Sequence, residues 1–271
     1  MKDLSHFLLV SDIDDTLLNK YKKIPKANLE AIERFCRSGG RFTLASARSI
    51  PALYSHYKRL PDQSTPAIVL NGAGIYDFAD EKMLWYNSVP AQGKELAESA
   101  MNKFPFLELA VFTPDKIYIV RPRLLSRVMM LFHSLEHISC KSLDEVPEGN
   151  WGKVIFFCTP HSRNKVKEYL LSKKREGVKF IDTTALSFDL VNETTNKGTA
   201  VRALAGILGV DEKNIGAIGD YFNDYDMLKS VAHPACPSQA PKELHAVCEF
   251  HACHCNEGAV ADFISYIEKT Y

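Results

Sequence analysis

Asp12-Ile13-Asp14-Asp15-Thr16 places three carboxylates within four consecutive positions, directly after the apolar run at residues 7–10. Carboxylates this close repel one another unless a cation neutralises them, and Mg²⁺ takes oxygen ligands. If the strand continued, Asp12 and Asp14 would lie on one side of it. A carboxylate can also attack a phosphoryl group and carry it as an aspartyl phosphate. The plainer alternative is an acidic turn opening a loop. Gly219-Asp220-Tyr221-Phe222-Asn223-Asp224 repeats the arrangement after a second apolar run. Asp220 and Asp224 could complete a Mg²⁺ site begun by Asp12 and Asp14. The alternative there is a helix start with acidic residues near its positive end.

Two further clusters add groups that suit phosphate. Ser46-Ala47-Arg48 closes an apolar stretch, so the Ser46 hydroxyl can donate to a phosphate oxygen or cap a helix. Asn196-Lys197-Gly198 opens a helical pattern. An ammonium at a helix N-terminus suits a phosphate dianion, although a lone lysine there is ordinarily just solvated.

These clusters need a scaffold, and the hydrophobic pattern supplies one. Residues 7–10 read as a buried strand, 25–38 as a helix stopped by Gly39-Gly40, 41–46 as a strand, 50–60 as a helix and 67–70 as a strand. A hairpin is expected over 75–87, around Asp80-Glu81. The style then changes, with helices at 94–104, 124–135 and 164–174 and strands at 107–112, 116–120 and 153–158. The first style resumes with a strand at 186–191, a helix at 197–208, a strand at 215–218 and a helix at 224–230. Strand-helix alternation at both ends predicts a doubly wound, parallel, Rossmann-like α/β sheet interrupted by an inserted α/β module. All four polar clusters fall at strand ends or helix starts, where such sheets bind ligands.

The composition sets the frame. In 271 residues, 46% apolar and 24% charged, 33 basic residues balance 33 acidic ones. That is an ordinary globular composition, with no global field directed at nucleic acid or an anionic membrane. No apolar run reaches the roughly 18 residues that span a bilayer, and residues 7–10 are too short for an export signal. Seven cysteines without secretory features read as reduced thiols in a cytoplasmic protein. His233, Cys236, His245, Cys248, His251, Cys253, His254 and Cys255 crowd the C-terminal stretch and invite a zinc reading. Their spacing matches no common closed Cys/His pattern, so the expectation is small buried thiols, not a metal site.

Taken together, the motifs resemble the haloacid dehalogenase superfamily of phosphotransferases. The pattern is similar to the Cof-like and sucrose-phosphatase-like group, whose large α/β cap lies between the second and third motifs. Asp12-Ile-Asp14-Asp-Thr16 matches the first motif, Ser46-Ala-Arg48 the second, Asn196-Lys197-Gly198 the third, and Gly219-Asp220 through Asn223-Asp224 the fourth. Asn71-Gly72-Ala73, and the tail from Ala235-Cys236-Pro237 to Gly258-Ala259-Val260, also fit the group. Asp15 and Ala47 depart from it, each standing where glycine is common.

The resemblance implies a catalytic core at 1–87 and 186–271 with a cap at 88–185. It implies Asp12 as nucleophile and metal ligand. Asp14 is general acid and base and gives its backbone carbonyl to Mg²⁺. Asp220 is a second carboxylate ligand, and Asp224 a ligand or outer partner. Ser46 and Lys197 hold phosphoryl oxygens, Asn223 makes a secondary contact, and Thr16 orients the loop. The expected activity is Mg²⁺-dependent hydrolysis of a small phosphate monoester, a sugar phosphate above all, by a soluble enzyme with no nucleic-acid or membrane partner. A phosphosugar mutase and a catalytically silent phosphate-binding scaffold are the open alternatives. Arg121, Arg123 and Lys153 in the cap are candidate anion contacts, with solvated surface charge as the plainer reading.

Overall fold

A computed structural model describes residues 3–114, 116–132, 136–173 and 176–271. The chain runs β1 (Leu8–Ser11), α1 (Lys26–Arg37), β2 (Arg41–Leu44), α2 (Ile50–Tyr57), β3 (Ala67–Val69), β4 (Gly74–Asp77) and β5 (Lys82–Tyr86). It continues α3 (Ala91–Lys103), β6 (Glu108–Phe112), β7 (Ile117–Val120), α4 (Leu124–Phe132), β8 (Ile138–Cys140), β9 (Lys153–Phe157), α5 (Pro160–Lys173), β10 (Val178–Thr184) and β11 (Ser187–Asn192). It closes with α6 (Lys197–Leu208), β12 (Ile215–Ile218), α7 (Tyr225–Lys229), β13 (His233–Pro237), α8 (Lys242–His245), β14 (Phe250–Ala252) and α9 (Ala259–Thr270). The expected ends of the helices at 124–135 and 164–174 fall partly outside the described residues. Two compact units result, Met1–Trp85 with Asn196–Tyr271, and Tyr86–Thr195.

The first unit is built on a parallel sheet in the order β14-β13-β12-β1-β2, and a parallel bridge from Ala45 to Ile68 sets β3 beside β2. β1 is central, paired with β12 on one side and β2 on the other. The chain winds away from it in both directions, so the β1/β12 boundary is a topological switch point. Alternation along β1 explains the layers. Leu8 and Val10 join Val201 and Leu204 of α6, Met227 of α7 and Leu244 of α8 in one core cluster. Leu9 faces the opposite side with Phe263 of α9, both close enough that a Cβ on Gly216 would lie 2.5 and 3.0 Å from them. Each such fully buried side chain contributes about 1.5–3 kcal/mol. Helices on both faces give the doubly wound α/β core.

The second unit is a six-stranded sheet, β10-β11-β9-β6-β7-β8, antiparallel except for the β7/β8 pair. Its core holds Leu109, Val154, Phe156, Phe188 and Leu190. Here the structure corrects the sequence reading. The strand expected at 186–191 is β11, which pairs antiparallel with β9 and β10, not with the parallel sheet. Phe188 stacks on Phe156 at 5.0 Å, so it belongs to this unit's core. The two compact units divide at 85/86 and 195/196. Lys153 is not solvated surface charge either: its side chain is 14% exposed, pairs with the buried Asp189 at 3.4 Å and lies over the Phe112 ring. Arg121 and Arg123 donate to the Met101 and Pro105 carbonyls.

Candidate active site

The site forms where β1 and β12 end side by side. The Asp12 N–H donates to the Ile218 carbonyl at 2.9 Å, which fixes the first motif against the fourth. After Asp12 the chain makes one wide helical turn, Ile13–Leu17, anchored by buried Ile13 and Leu17. Asp15 in this turn has φ +58°. That left-handed conformation explains why glycine is common there, and Asp is among the residues that tolerate it. Ala47, at the other departure, is not among the described left-handed residues. Buried Asn28 of α1 holds the turn from below: its amide donates to the Leu17 carbonyl at 3.0 Å and accepts from the Ala261 N–H at 2.9 Å. A lone Asn in an amphipathic helix gives no sequence signal for that role.

Lys197 is the centre of the arrangement. Asn196 caps α6, accepting from the Thr199 N–H at 2.7 Å. This places Lys197 in the first turn, fully buried, with its ammonium 2.5 Å from both Asp12 Oδ1 and Asp224 Oδ1. Burial alone would favour the neutral amine, but the two carboxylates outweigh it and raise the Lys197 pKa. Asp224, also fully buried, accepts from the Asp220 and Tyr221 N–H groups through Oδ2, at 3.1 and 3.3 Å. Thr16 Oγ1 donates to Asp220 Oδ1 at 3.1 Å.

Asp12, Asp220 and Asp224 each bring an oxygen within 4.8 Å of the others. Three carboxylates therefore share one ammonium, a surplus of two negative charges when all are ionised. The strain shows in their titration: burial and Asp224 push Asp12 up to about 7 against the pull of Lys197. Burial and Asp224 likewise push Asp220 up to about 6. This oxygen-only set fits a hard divalent cation in both chemistry and charge.

Asp14 lies apart from that cluster. Its carboxylate takes a forked grip from Arg48, with Nη2 2.8 Å from Oδ2, and a contact from Lys22 Nζ at 3.1 Å. Partial burial pushes it up, but the two cations outweigh that and hold it below the usual carboxylate range. The Asp14 side chain is thus engaged apart from the other three carboxylates. Lys22 was not legible as a site residue; it sits at φ +57° in a short turn organised by Asn19. Arg48 was visible in the second motif but carried no assigned role.

Ser46 is buried, and its Oγ accepts the Arg48 N–H at 3.2 Å, which leaves its own proton to donate. Asn223 is exposed on the turn Phe222–Asp224, while its neighbour Asp224 points inward. The loop after β3 supplies a positioning element: the Asn71 N–H donates to the Ser46 carbonyl at 2.8 Å. Gly72, at φ +91°, lies against the Asn196–Lys197 peptide.

The haloacid dehalogenase-like hydrolase family model matches residues 9–264. The 5-amino-6-(5-phospho-D-ribitylamino)uracil phosphatase YwtE of Bacillus subtilis (strain 168) is 25% identical over 280 residues, covering 94% of this chain and 96% of its own. TM0651 of Thermotoga maritima has the same fold, with a TM-score of 0.85 at 20% identity over 96% of this chain and 97% of that one. So does the subclass IIB sugar phosphatase BT4131, at 0.75 and 17% identity over 97% and 99%. With a family match that runs from β1 into α9 and takes in all four motifs, the chain belongs to the haloacid dehalogenase-like hydrolases.

Proposed function

We propose that this hydrolase is a Mg²⁺-dependent phosphatase of small phosphate monoesters, sugar phosphates above all, acting through an aspartyl phosphate on Asp12. The observation that carries the reading is the buried Lys197 ammonium, 2.5 Å from both Asp12 and Asp224 at the end of the parallel sheet. A lysine brought out of water in this way serves an anionic reaction centre, and phosphoryl transfer depends mainly on positioning and charge stabilisation. The name of YwtE and the description of BT4131 as a sugar phosphatase favour a small, polar phosphate ester over a phosphoprotein. In this reading the second unit selects the leaving group.

Asp12, Asp220 and the Asp14 backbone carbonyl would hold Mg²⁺, with Asp224 beside them fixing Lys197. When bound, the ion offsets charge on the transferring group. The remaining steps belong to the chain's own residues. An Asp12 oxygen attacks phosphorus, and the bond from phosphorus to the ester oxygen breaks. Lys197 and the Ser46 hydroxyl bind equatorial oxygens, and Asp14 gives a proton to the departing alkoxide. Asp14 then takes a proton from water as that water attacks phosphorus, releasing inorganic phosphate and freeing Asp12. Arg48 and Lys22 keep Asp14 ionised in the free protein, so its acid role requires proton uptake as the ester binds.

The test is hydrolysis of an aryl phosphate by metal-stripped protein. Activity should appear on Mg²⁺ addition and vanish in excess chelator; full activity in chelator overturns the reading. A panel of sugar phosphates and phosphopeptides then tests the substrate class, which fails if a phosphopeptide is the best substrate.

A further inference from the structure

Three side chains of the His- and Cys-rich tail come together in the fold. β13, α8 and β14 form one strand-helix-strand unit at the sheet edge. Cys236 of β13 and His251 of β14 are register partners in adjacent parallel strands, so both side chains leave the sheet on one face. His245, the last residue of α8, arrives at the same place. Its Nδ1 lies 3.5 Å from Cys236 Sγ, and its ring stands perpendicular to that of His251, at 4.6 Å between centroids. Donor atoms of Cys236, His245 and His251 all lie within 4.8 Å of one another.

We propose that Cys236, His245 and His251 form a three-ligand zinc site, completed by water, that ties the edge of the parallel sheet together. The distances suit the ion. Zinc bonds of about 2.3 Å to sulfur and about 2.0–2.1 Å to nitrogen, opened to a tetrahedral angle, separate S from N by about 3.5 Å. The tautomer suits it as well. His251 Nε2 donates to the His245 carbonyl at 3.1 Å. A carbonyl can only accept, so Nε2 carries the proton and Nδ1 keeps its lone pair. A ring N–H held by a carbonyl is the usual outer support of a metal-binding histidine. A donor set of two imidazoles and one thiol selects zinc over the hard cation suited to Asp12, Asp220 and Asp224.

The location suits a structural ion. Cys236 is fully buried, while His245 is half-buried and His251 exposed, so the ion can enter from solvent. β14 is only three residues long, and a bond through the ion would add a cross-link between β13, α8 and β14. As the S–Zn bond forms, the Cys236 thiol gives its proton to water. Binding therefore releases one proton, that of the Cys236 thiol.

The experiment is Co²⁺ and Zn²⁺ titration of the full-length, metal-stripped protein in excess Mg²⁺, which occupies the carboxylate cluster. The expected result is one equivalent of Co²⁺ giving a thiolate-to-cobalt charge-transfer band with intense tetrahedral d–d bands. Zn²⁺ should displace it, with proton release. Removing an outer-shell partner commonly weakens metal affinity by about 10–100-fold, so His251→Ala, which removes a ligand, should lose at least that much. Cys236→Ser should abolish the charge-transfer band, and Asp12→Asn should keep it. His251 is exposed, so its variant remains informative if Cys236→Ser does not fold. No charge-transfer band in the wild type, or a band unchanged in His251→Ala, overturns the proposal. Either outcome leaves the phosphatase reading untouched, because that reading rests on other residues.

Discussion

A Cβ placed on Gly72 would sit 2.1 Å from the Asn196 carbonyl oxygen and 2.8 Å from the Lys197 nitrogen. Both atoms are backbone, and Gly72 itself is at φ +91°. The loop after β3 is therefore fitted against the start of α6, the turn that delivers Lys197 to Asp12. Gly72→Ala must push that turn away and adopt a left-handed backbone. The expected cost is about 1–3 kcal/mol of stability. Misplacement of Lys197 by about 1 Å should lower kcat by roughly 10²-fold. Urea unfolding and steady-state kinetics check this, and a variant with wild-type kcat and Tm would contradict it.

Asp15 presents the opposite case, a side chain where glycine is the easier choice. At φ +58° it bears a left-handed backbone, and its carboxylate gains only a half-exposed contact to Lys22 at 3.6 Å. Asp15→Gly relieves the backbone while losing a weak ion pair, so stability should change by less than about 1 kcal/mol. Asp15→Val puts a β-branched residue into the same conformation and should lose about 1–3 kcal/mol. Equal stability of the two variants in urea would show that the turn relaxes freely.

Much of this site was legible because short apolar strands announce their own ends. The runs at residues 7–10 and 215–218 place Asp12 and Asp220 at neighbouring strand termini once the sheet is parallel. The capped helix at 197 places Lys197 beside them. What periodicity cannot state is which sheet a strand joins. The run at 186–191 looks like any buried strand, and only the pairing of Phe188 with Phe156 assigns it to the second unit. Lys22 reaches Asp14 through a left-handed turn that leaves no hydrophobic signature. The Cys236–His251 register depends on β13 and β14 being neighbours, which their fifteen-residue separation in sequence does not reveal.

Removal of Lys197 should expose the electrostatics of the core. In Lys197→Met the ammonium is gone, and Asp12, Asp220 and Asp224 face one another in a buried space. Burial and Asp224 already raise Asp12 to about 7 and Asp220 to about 6, and loss of the cation raises both further. Carboxylates whose folded pKa exceeds the unfolded value of about 4 favour the folded state below that value. They lose the contribution as pH rises through the folded pKa. The metal-free variant should therefore be destabilised most at pH 8, by about 3–5 kcal/mol, and much less near pH 5, where the cluster holds protons. Urea titrations at the two pH values decide it, and an equal loss at both would rule out carboxylate repulsion as the cause.

The different surroundings of Asp12 and Asp14 predict different failures when each is changed to Asn. Asp12→Asn removes the attacking oxygen, so turnover of every ester should stop. Asp14→Asn keeps the nucleophile but removes the proton donor, and it strands Arg48 and Lys22 without their shared carboxylate. An alkyl phosphate expels a basic alkoxide, so its first step should fall by roughly 10²–10⁴-fold, the usual worth of general acid catalysis. An aryl phosphate expels a weakly basic phenolate and needs little protonation, so its first step should survive. The second step still lacks the base that activates water. Rapid mixing of Asp14→Asn with an aryl phosphate should then show a burst of phenolate approaching one equivalent, followed by slow turnover as Asp12 accumulates in its phosphorylated form. The two freed cations add a second signature. They should tighten binding of phosphate dianion, so inorganic phosphate becomes a stronger inhibitor of the variant than of the wild type. If Asp14→Asn slows phenolate and alcohol release equally while Mg²⁺ still binds, Asp14 is not the proton donor.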